Sequence, residues 1–281
     1  MSVVKDSLSA RREHVWQEDA RPPDTVVLPD GFVVTGDGLG TLQSVGEGAA
    51  DVIFLDPPFN LGKAYGESGP SADRRDPAIY FDFMTSILTA SSVALAPGGA
   101  LYLYHVPSVA AALVQHMPAE LGFRHWIAVS MKNGFARGSR LYPAHYALLY
   151  YTKGTPAHFC RPKLPPPVCR HCGKVLPDYG GYKQHMSAGV NLSDVWTDIS
   201  PVRHKKHKTR DANELPLAIP RRVLQISGVR DGLVVDPFAG SGAMLVAARE
   251  CGMRFIGGDR EQSQVDGMIA RLEGTPLLDV S

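Results

Sequence analysis

The 281-residue chain is 44% hydrophobic and 20% charged with a formal net charge of +1, so it can build a sizeable core but has no global attraction to nucleic acid, and any DNA-binding face must come from local clustering. No uninterrupted apolar run of roughly 18 residues occurs, which excludes a hydropathic membrane span, and the first residues lack the apolar centre of a signal peptide. Four cysteines at this length do not suggest a disulfide scaffold; three of them, Cys160, Cys169 and Cys172, crowd together as in a metal site of a reducing compartment, while Cys251 lies in a helical pattern and reads as a core residue.

Residues 1–24 are polar, charged and proline-containing, and read as a flexible leader. From residue 31 an α/β rhythm begins. FVVTGD is a strand and turn, GTLQSV a short helix, and ADVIFLDPPF a buried strand ending in two prolines. After a loop, IYFDFMTSILTASSVALA predicts a helix stopped by PGG, and ALYLYHV predicts the next strand. SVAAALVQHMPAEL reads as helix, with HWIAVSMK and HYALLYYTK as strands. Residues 155–212 break the rhythm with Pro, Gly, Lys, His and Cys, and read as an insertion. Alternation resumes with ELPLAIPRRVLQIS as helix, GLVVDPF as strand, SGAMLVAAREC as helix, MRFIGGD as strand and SQVDGMIARL as helix. Strands alternating with helices imply a mostly parallel sheet covered on both faces, with ligands beyond the carboxyl ends of the strands. The expected division is 25–154, an insertion at 155–212, and 213–281.

Two of the strand ends carry chemistry. Asp236-Pro237-Phe238-Ala239-Gly240-Ser241-Gly242 follows an apolar strand and opens a helix. Glycines there admit close backbone approach to a ligand, and a helix N-terminus offers free N–H donors. Asp259 ends the next strand, where a carboxylate suits ribose hydroxyls. Asp56-Pro57-Pro58-Phe59, followed by Asn60, is the second. Consecutive prolines fix φ and remove N–H donors, so their carbonyls are held rigidly. A carboxylate and a fixed carbonyl can both accept from one NH2 group, and Phe59 can stack on a flat ring. Either turn alone is equally consistent with a structural strand–helix connection.

Together the two motifs resemble those of the amino-group DNA methyltransferases, whose hallmarks are FxGxG and [D/N/S]PP[Y/F/W]. The resemblance runs over roughly residues 31–272 and includes TGDGLGTL (35–42), LAPGGALYLY (95–104), HYALLYYTK (145–153) and ANELP (212–216). The catalytic motif precedes the cofactor motif, as in the permuted class called beta. The resemblance implies a Rossmann-like S-adenosylmethionine-dependent fold, with 25–154 as catalytic half, 155–212 as target-recognition region and 213–281 as cofactor half. It places Phe238, Gly240 and Gly242 at the methionine end of S-adenosylmethionine, with Ala239 in the same turn and Asp236 nearby. Asp259 then holds the ribose, Asp37 sits near the cofactor adenine, and Asn213 helps close that pocket. Asp56 and the Pro57 carbonyl, in the rigid turn with Pro58, grip the target amino group while Phe59 stacks on the extruded base. Asp at the first motif position favours adenine over cytosine. Expected partners are double-stranded DNA, with a second copy of the chain and a separate restriction endonuclease as further candidates, in a bacterial or phage-type cytoplasm beside the nucleoid.

Within the insertion, Cys169-Arg170-His171-Cys172-Gly173 is a CxxC turn of the zinc-knuckle kind. Cys160, Cys169, Cys172 and His185 make a four-ligand set for zinc, with His158 or His171 as substitutes. No second His follows His185 at finger spacing, and the alternative is three free thiols in a loop. Arg203, Lys205, Lys206, Lys208 and Arg210 form a basic run suited to DNA phosphates, set against the bland reading of a solvated loop. Tyr179 to Tyr182 and Lys132, Asn133 and Arg137 are weaker DNA-contact candidates. Competing readings are cytosine N4 methylation, RNA or protein-glutamine methylation, which normally puts the cofactor motif first, and a non-catalytic DNA-binding module.

Overall fold

The computed structural model describes residues 15–17, 20–60, 76–130, 139, 141–166, 168–169, 171–175, 189–199 and 214–277. In chain order these form β1 (Thr25–Leu28), β2 (Gly31–Thr35), α1 (Gly38–Ser44), β3 (Ala50–Leu55), α2 (Pro77–Ala94), β4 (Leu95–His105) and α3 (Pro107–Leu113). Then follow β5 (Leu121–Ser130), β6 (His145–Lys153), β7 (Lys163–Leu164), β8 (Val190–Asn191), β9 (Val195–Trp196) and α4 (Ala218–Ser227). The chain continues through β10 (Leu233–Asp236), α5 (Ala243–Glu250), β11 (Arg254–Asp259) and α6 (Gln262–Glu273).

One nine-stranded sheet organises the molecule, in the order β1-β2-β11-β10-β3-β4-β6-β5-β9. The run from β2 through β11, β10 and β3 to β4 is parallel. β6 is antiparallel to β4 and β5 to β6, while β1 folds back on β2 across a tight turn. The expected mostly parallel sheet is therefore present, with antiparallel additions at both ends. Its centre is buried on both faces because the strand runs are apolar at consecutive positions. Along β3, Val52 and Phe54 join one core layer, and Ile53 and Leu55 the other. Each of these larger side chains contributes about 1.5–3 kcal/mol by leaving water.

Proline positions set several helix limits. Asp76 caps α2 by accepting from the Ala78 N–H at 2.9 Å, and Pro77 fills the first helical position, where its missing N–H is harmless. The helix ends at Ala94, two residues before the expected end, and Leu95 turns extended into β4. Pro97 favours an early stop, because its ring disfavours helical backbone at Ala96 and it has no N–H for the Val93 carbonyl, which accepts from the Gly48 N–H. Likewise α4 starts at Ala218 rather than Glu214, beyond Pro216, and Met117 is extended ahead of Pro118.

Side chains lock distant strands together. Asp51 on β3 accepts from the Leu233 N–H at 2.8 Å, setting the start of β10. Arg249 on α5 makes a bidentate pair with Asp30 (2.6 and 2.7 Å), tying the helix to the β1–β2 turn. Within the expected leader, Val15 is buried and Trp16 packs edge-on to Phe32 at 5.2 Å. The expected insertion returns to the main sheet as β9 beside β5. There Trp196 is fully buried, with the Arg222 guanidinium 4.9 Å over its ring and bridged to Asp198 at 3.0 Å. Among the described residues no helix is long and apolar enough to cross a membrane.

Candidate active site

β3 and β10 are adjacent and parallel, with Val52 opposite Val234 and Ile53 opposite Val235. The two motifs that follow these strands therefore leave the same edge of the sheet, although about 180 residues separate them in the chain. Helix α2 reaches both. Its Tyr80 hydroxyl donates to the Pro58 carbonyl at 2.9 Å, and Phe83, one turn on, meets Phe238 edge-on at 6.3 Å.

The Asp56–Phe59 turn sits in an aromatic corner. Asp56 is half-buried and Phe59 is buried. The Phe59 ring lies 4.7 Å from His105, 5.8 Å from Tyr146 and 6.2 Å from Tyr104, and the two tyrosines are 5.0 Å apart. Burial and then the nearby Asp56 carboxylate push both tyrosine hydroxyls above their ordinary titration range. Deprotonation beside a carboxylate would place two negative charges together, so both hydroxyls stay neutral donors. Asn60 ends the turn at φ 57°, the left-handed region that asparagine tolerates better than most residues.

The Asp236–Gly242 turn is built for close approach instead. Asp236 is buried and accepts from the Phe238 N–H at 3.1 Å. Gly240 (φ 51°) and Gly242 (φ 74°) are both left-handed, and Gly242 caps the start of α5. The turn is tied to β11 through the Ala239 N–H and Gly258 carbonyl at 2.9 Å. Asp259 stands at the end of β11 and accepts from the Glu261 N–H, while its own carbonyl accepts from Gly36. Asp37, next in the chain, is exposed and caps α1 through the Gly40 N–H at 2.9 Å. Gly38 lies against Phe238: a Cβ there would stand 2.7 Å from the Phe238 ring. Asp37, Phe238 and Asp259 thus share the carboxyl ends of β2, β10 and β11.

Several site residues escaped sequence reasoning. Tyr104 and Tyr146 wall the aromatic corner around Phe59, and their only sequence signal is a place at strand ends. Glu214 is buried and pairs with Arg271 of α6 at 3.0 Å; Arg271 also donates to the Ser241 carbonyl at 2.9 Å. That tie fastens the segment before α4 to the glycine turn. Asn213, His185, Arg203, Lys205, Lys206, Lys208, Arg210, Lys132, Asn133, Arg137 and Tyr179 to Tyr182 lie outside the described residues.

The CxxC turn forms as a small hairpin. Val168 bridges Val175, the Gly173 N–H donates to the Cys169 carbonyl at 2.8 Å, and Gly173 is left-handed at φ 67°. Hydrogen bonds from the Cys172 and His171 backbone, followed by the Cys172 side chain, lower the Cys169 thiol below its ordinary range. Among the described residues no group of three or more His, Cys, Asp or Glu is arranged to hold a metal, so Cys160 does not join this pair. The Cys160 backbone N–H donates to the Ile226 carbonyl at the end of α4. Cys251 is half-buried against the core at the end of α5.

A family model described as DNA methylase (N6_N4_Mtase) matches residues 50–271. The chain is 41% identical over 229 residues to the Type II methyltransferase M.BamHI of Bacillus amyloliquefaciens, covering 81% of this chain and 54% of that one. It thus spans about half the length of that relative. It is 24% identical over 251 residues to M.HpaI of Haemophilus parainfluenzae, covering 87% and 74% of the two chains. Among solved structures, the cytosine-N4-specific PvuII DNA methyltransferase superposes with a TM-score of 0.58 at 17% identity, covering 91% and 89%. TTHA0409 of Thermus thermophilus, complexed with S-adenosyl-L-methionine, gives 0.57 at 19% identity, covering 88% and 99%. With the family model covering most of its length and both hallmark turns at one sheet edge, the chain belongs to the N6/N4 family of DNA methylases.

Proposed function

We propose that this chain transfers a methyl group from S-adenosylmethionine to an exocyclic amino nitrogen in double-stranded DNA, at a specific site, with adenine N6 as the target. The observation that carries this reading is the adjacency of β3 and β10, which puts an acceptor-rich turn and a glycine turn side by side. The residues present fit the cofactor. Gly240 and Gly242 hold a left-handed backbone that a side chain would strain, and Asp37 and Asp259 offer carboxylates to hydroxyl and amino groups. Phe238 adds an apolar wall.

S-adenosylmethionine supplies an electrophilic methyl when bound; the chain's own residues do the rest. An exocyclic amine is a poor nucleophile because its lone pair is delocalised into the ring. Asp56 and the Pro57 carbonyl accept from its two N–H groups, favour a tetrahedral nitrogen and stabilise the positive charge that develops there. Phe59 stacks on the base, with Tyr104 and Tyr146 closing the corner. A base within a duplex is out of reach, so it is flipped out at a cost of a few kcal/mol. Arg203, Lys205, Lys206, Lys208 and Arg210 would contact phosphates, and Asn213 would border the cofactor pocket.

A second reading is methylation of cytosine N4, favoured by the structural likeness to the cytosine-N4-specific PvuII enzyme. The same pincer would hold either amine. Incubation with unmethylated DNA and S-adenosylmethionine, followed by nucleoside mass spectrometry, tests both. N6-methyldeoxyadenosine is expected; N4-methyldeoxycytidine would replace the first reading by the second. No methylated nucleoside would favour a binding module. The similarity to Type II enzymes also suggests a separate restriction endonuclease acting at the same site, and size-exclusion with light scattering would show whether the chain pairs with itself. Zinc belongs to this reading through Cys169 and Cys172 with His185: elemental analysis should find about one zinc per chain, and metal-free folded protein would remove it.

A further inference from the structure

A buried chain of hydrogen bonds runs into the back of the Asp56–Phe59 turn. The Val106 N–H donates to His105 Nδ1 at 2.8 Å. A backbone amide can only donate, so Nδ1 is the acceptor and the proton of the neutral ring sits on Nε2. Burial keeps the ring neutral, holding His105 down to about 3. His105 Nε2 lies 2.8 Å from the Tyr80 hydroxyl and therefore donates to it. The Tyr80 O–H in turn donates to the Pro58 carbonyl at 2.9 Å. Every link has one allowed direction, and His105 and Tyr80 are both buried.

The point of attachment matters. Pro58 has its φ locked by its ring, so fixing its carbonyl sets the remaining backbone freedom and the direction in which Phe59 leaves. The Phe59 ring rests on the His105 ring at 4.7 Å. The helix that carries Tyr80 also carries Phe83, which abuts Phe238 on the opposite turn.

We propose that Tyr80 and His105 are positioning residues for methyl transfer: a directional relay, Val106 N–H to His105 to Tyr80 to the Pro58 carbonyl, that holds the catalytic turn in register with the cofactor turn. This rests on the reading of Asp56–Phe59 as the catalytic turn. The relay touches neither the transferred methyl nor the amine. It sets where the Asp56 carboxylate and Pro57 carbonyl stand.

The test uses the full chain, unmethylated genomic DNA and labelled S-adenosylmethionine under single-turnover conditions. Tyr80→Phe keeps the ring and removes the link; His105→Leu removes the upstream donor; His105→Gln retains an N–H donor. Tyr80→Phe should slow transfer about 10- to 100-fold, the scale of a misplacement near 1 Å, with the Kd for S-adenosylmethionine unchanged. His105→Leu should match it, the double variant should be no slower than either single one, and His105→Gln should recover most of the rate. Independent, additive losses, a wild-type rate in Tyr80→Phe, or cofactor affinity falling in step with rate would each overturn the relay. Nitrogen-15 NMR of the His105 ring in the unaltered chain gives a second check. An Nε2–H signature unchanged from pH 5 to 8 is expected, and an Nδ1–H tautomer would refute the relay. An unaltered chain that methylates no DNA would instead overturn the functional reading beneath it.

Discussion

The turns after β3 and β10 begin alike, with Asp-Pro behind a buried apolar strand, and then diverge. In Asp56-Pro57-Pro58-Phe59 the prolines strip the backbone of donors and leave acceptors. In Asp236-Pro237-Phe238-Ala239-Gly240-Ser241-Gly242 the glycines admit left-handed backbone. Their support differs as well. The first is propped by buried neutral groups, Tyr80 and His105, and the second by a charged pair, Glu214 and Arg271, reaching Ser241. On the proposed function the contrast matches the partner of each turn: an amine that gains positive charge calls for rigid acceptors, and a cofactor tail calls for room.

Separating the two turns by mutation should separate chemistry from binding. Asp56→Ala should lower methyl transfer by about 10²–10³-fold or more while leaving cofactor affinity, measured by calorimetry, near wild type; retained transfer would reassign the catalytic group. Gly242→Ala should act in the opposite sense. Its φ of 74° disfavours a side chain and its Cβ would stand 3.0 Å from Met268. A strain of about 1–2 kcal/mol should weaken S-adenosylmethionine binding roughly tenfold, with little change in rate at saturation. Equal loss of rate at saturating cofactor would show that the glycine turn shapes the transfer itself.

Arg271→Leu leaves Glu214 buried without its guanidinium. A stability loss of about 1–3 kcal/mol is expected in denaturant titrations, together with weaker cofactor binding through the loosened Ser241; an unchanged midpoint would remove the tie as a support.

The effect expected to be smallest at neutral pH, and to grow only with acid, is a pH dependence on the acceptor side. Burial pushes His105 from 6.5 to about 3. Between these values the unfolded chain holds a proton that the native ring refuses. The native state therefore loses stability as pH falls from about 6.5 toward 3, by up to about 1.4 kcal/mol per pH unit, and gains nothing from this group above 6.5. His105→Gln should flatten the acid side of a Tm-against-pH curve relative to the unaltered chain. Parallel curves would mean that the ring titrates normally.

Much of this molecule was legible in the chain. The apolar runs at β3 and β10, each closed by Asp-Pro, are local features, so both turns and the alternating α/β order could be read directly. Prolines account for the misplaced limits: Pro97 and Pro216 shortened helices that hydrophobic content alone would have extended. Edge additions were less legible, because the two-residue β9 carries no periodicity and exists through the docking of Trp196 beneath Arg222.

The sequence by itself determined what each turn can do, since donor removal by proline and left-handed backbone at glycine are properties of single residues. Only the tertiary structure decided what stands behind them. Tyr80 reaches Pro58 across 22 positions, Tyr146 reaches Phe59 from a strand two places away in the sheet, and Arg271 meets Glu214 across 57. Such pairings depend on sheet order and register, which arise from the whole core packing at once; a hydroxyl, an imidazole or a guanidinium looks the same in the chain whether it meets water or a buried carbonyl.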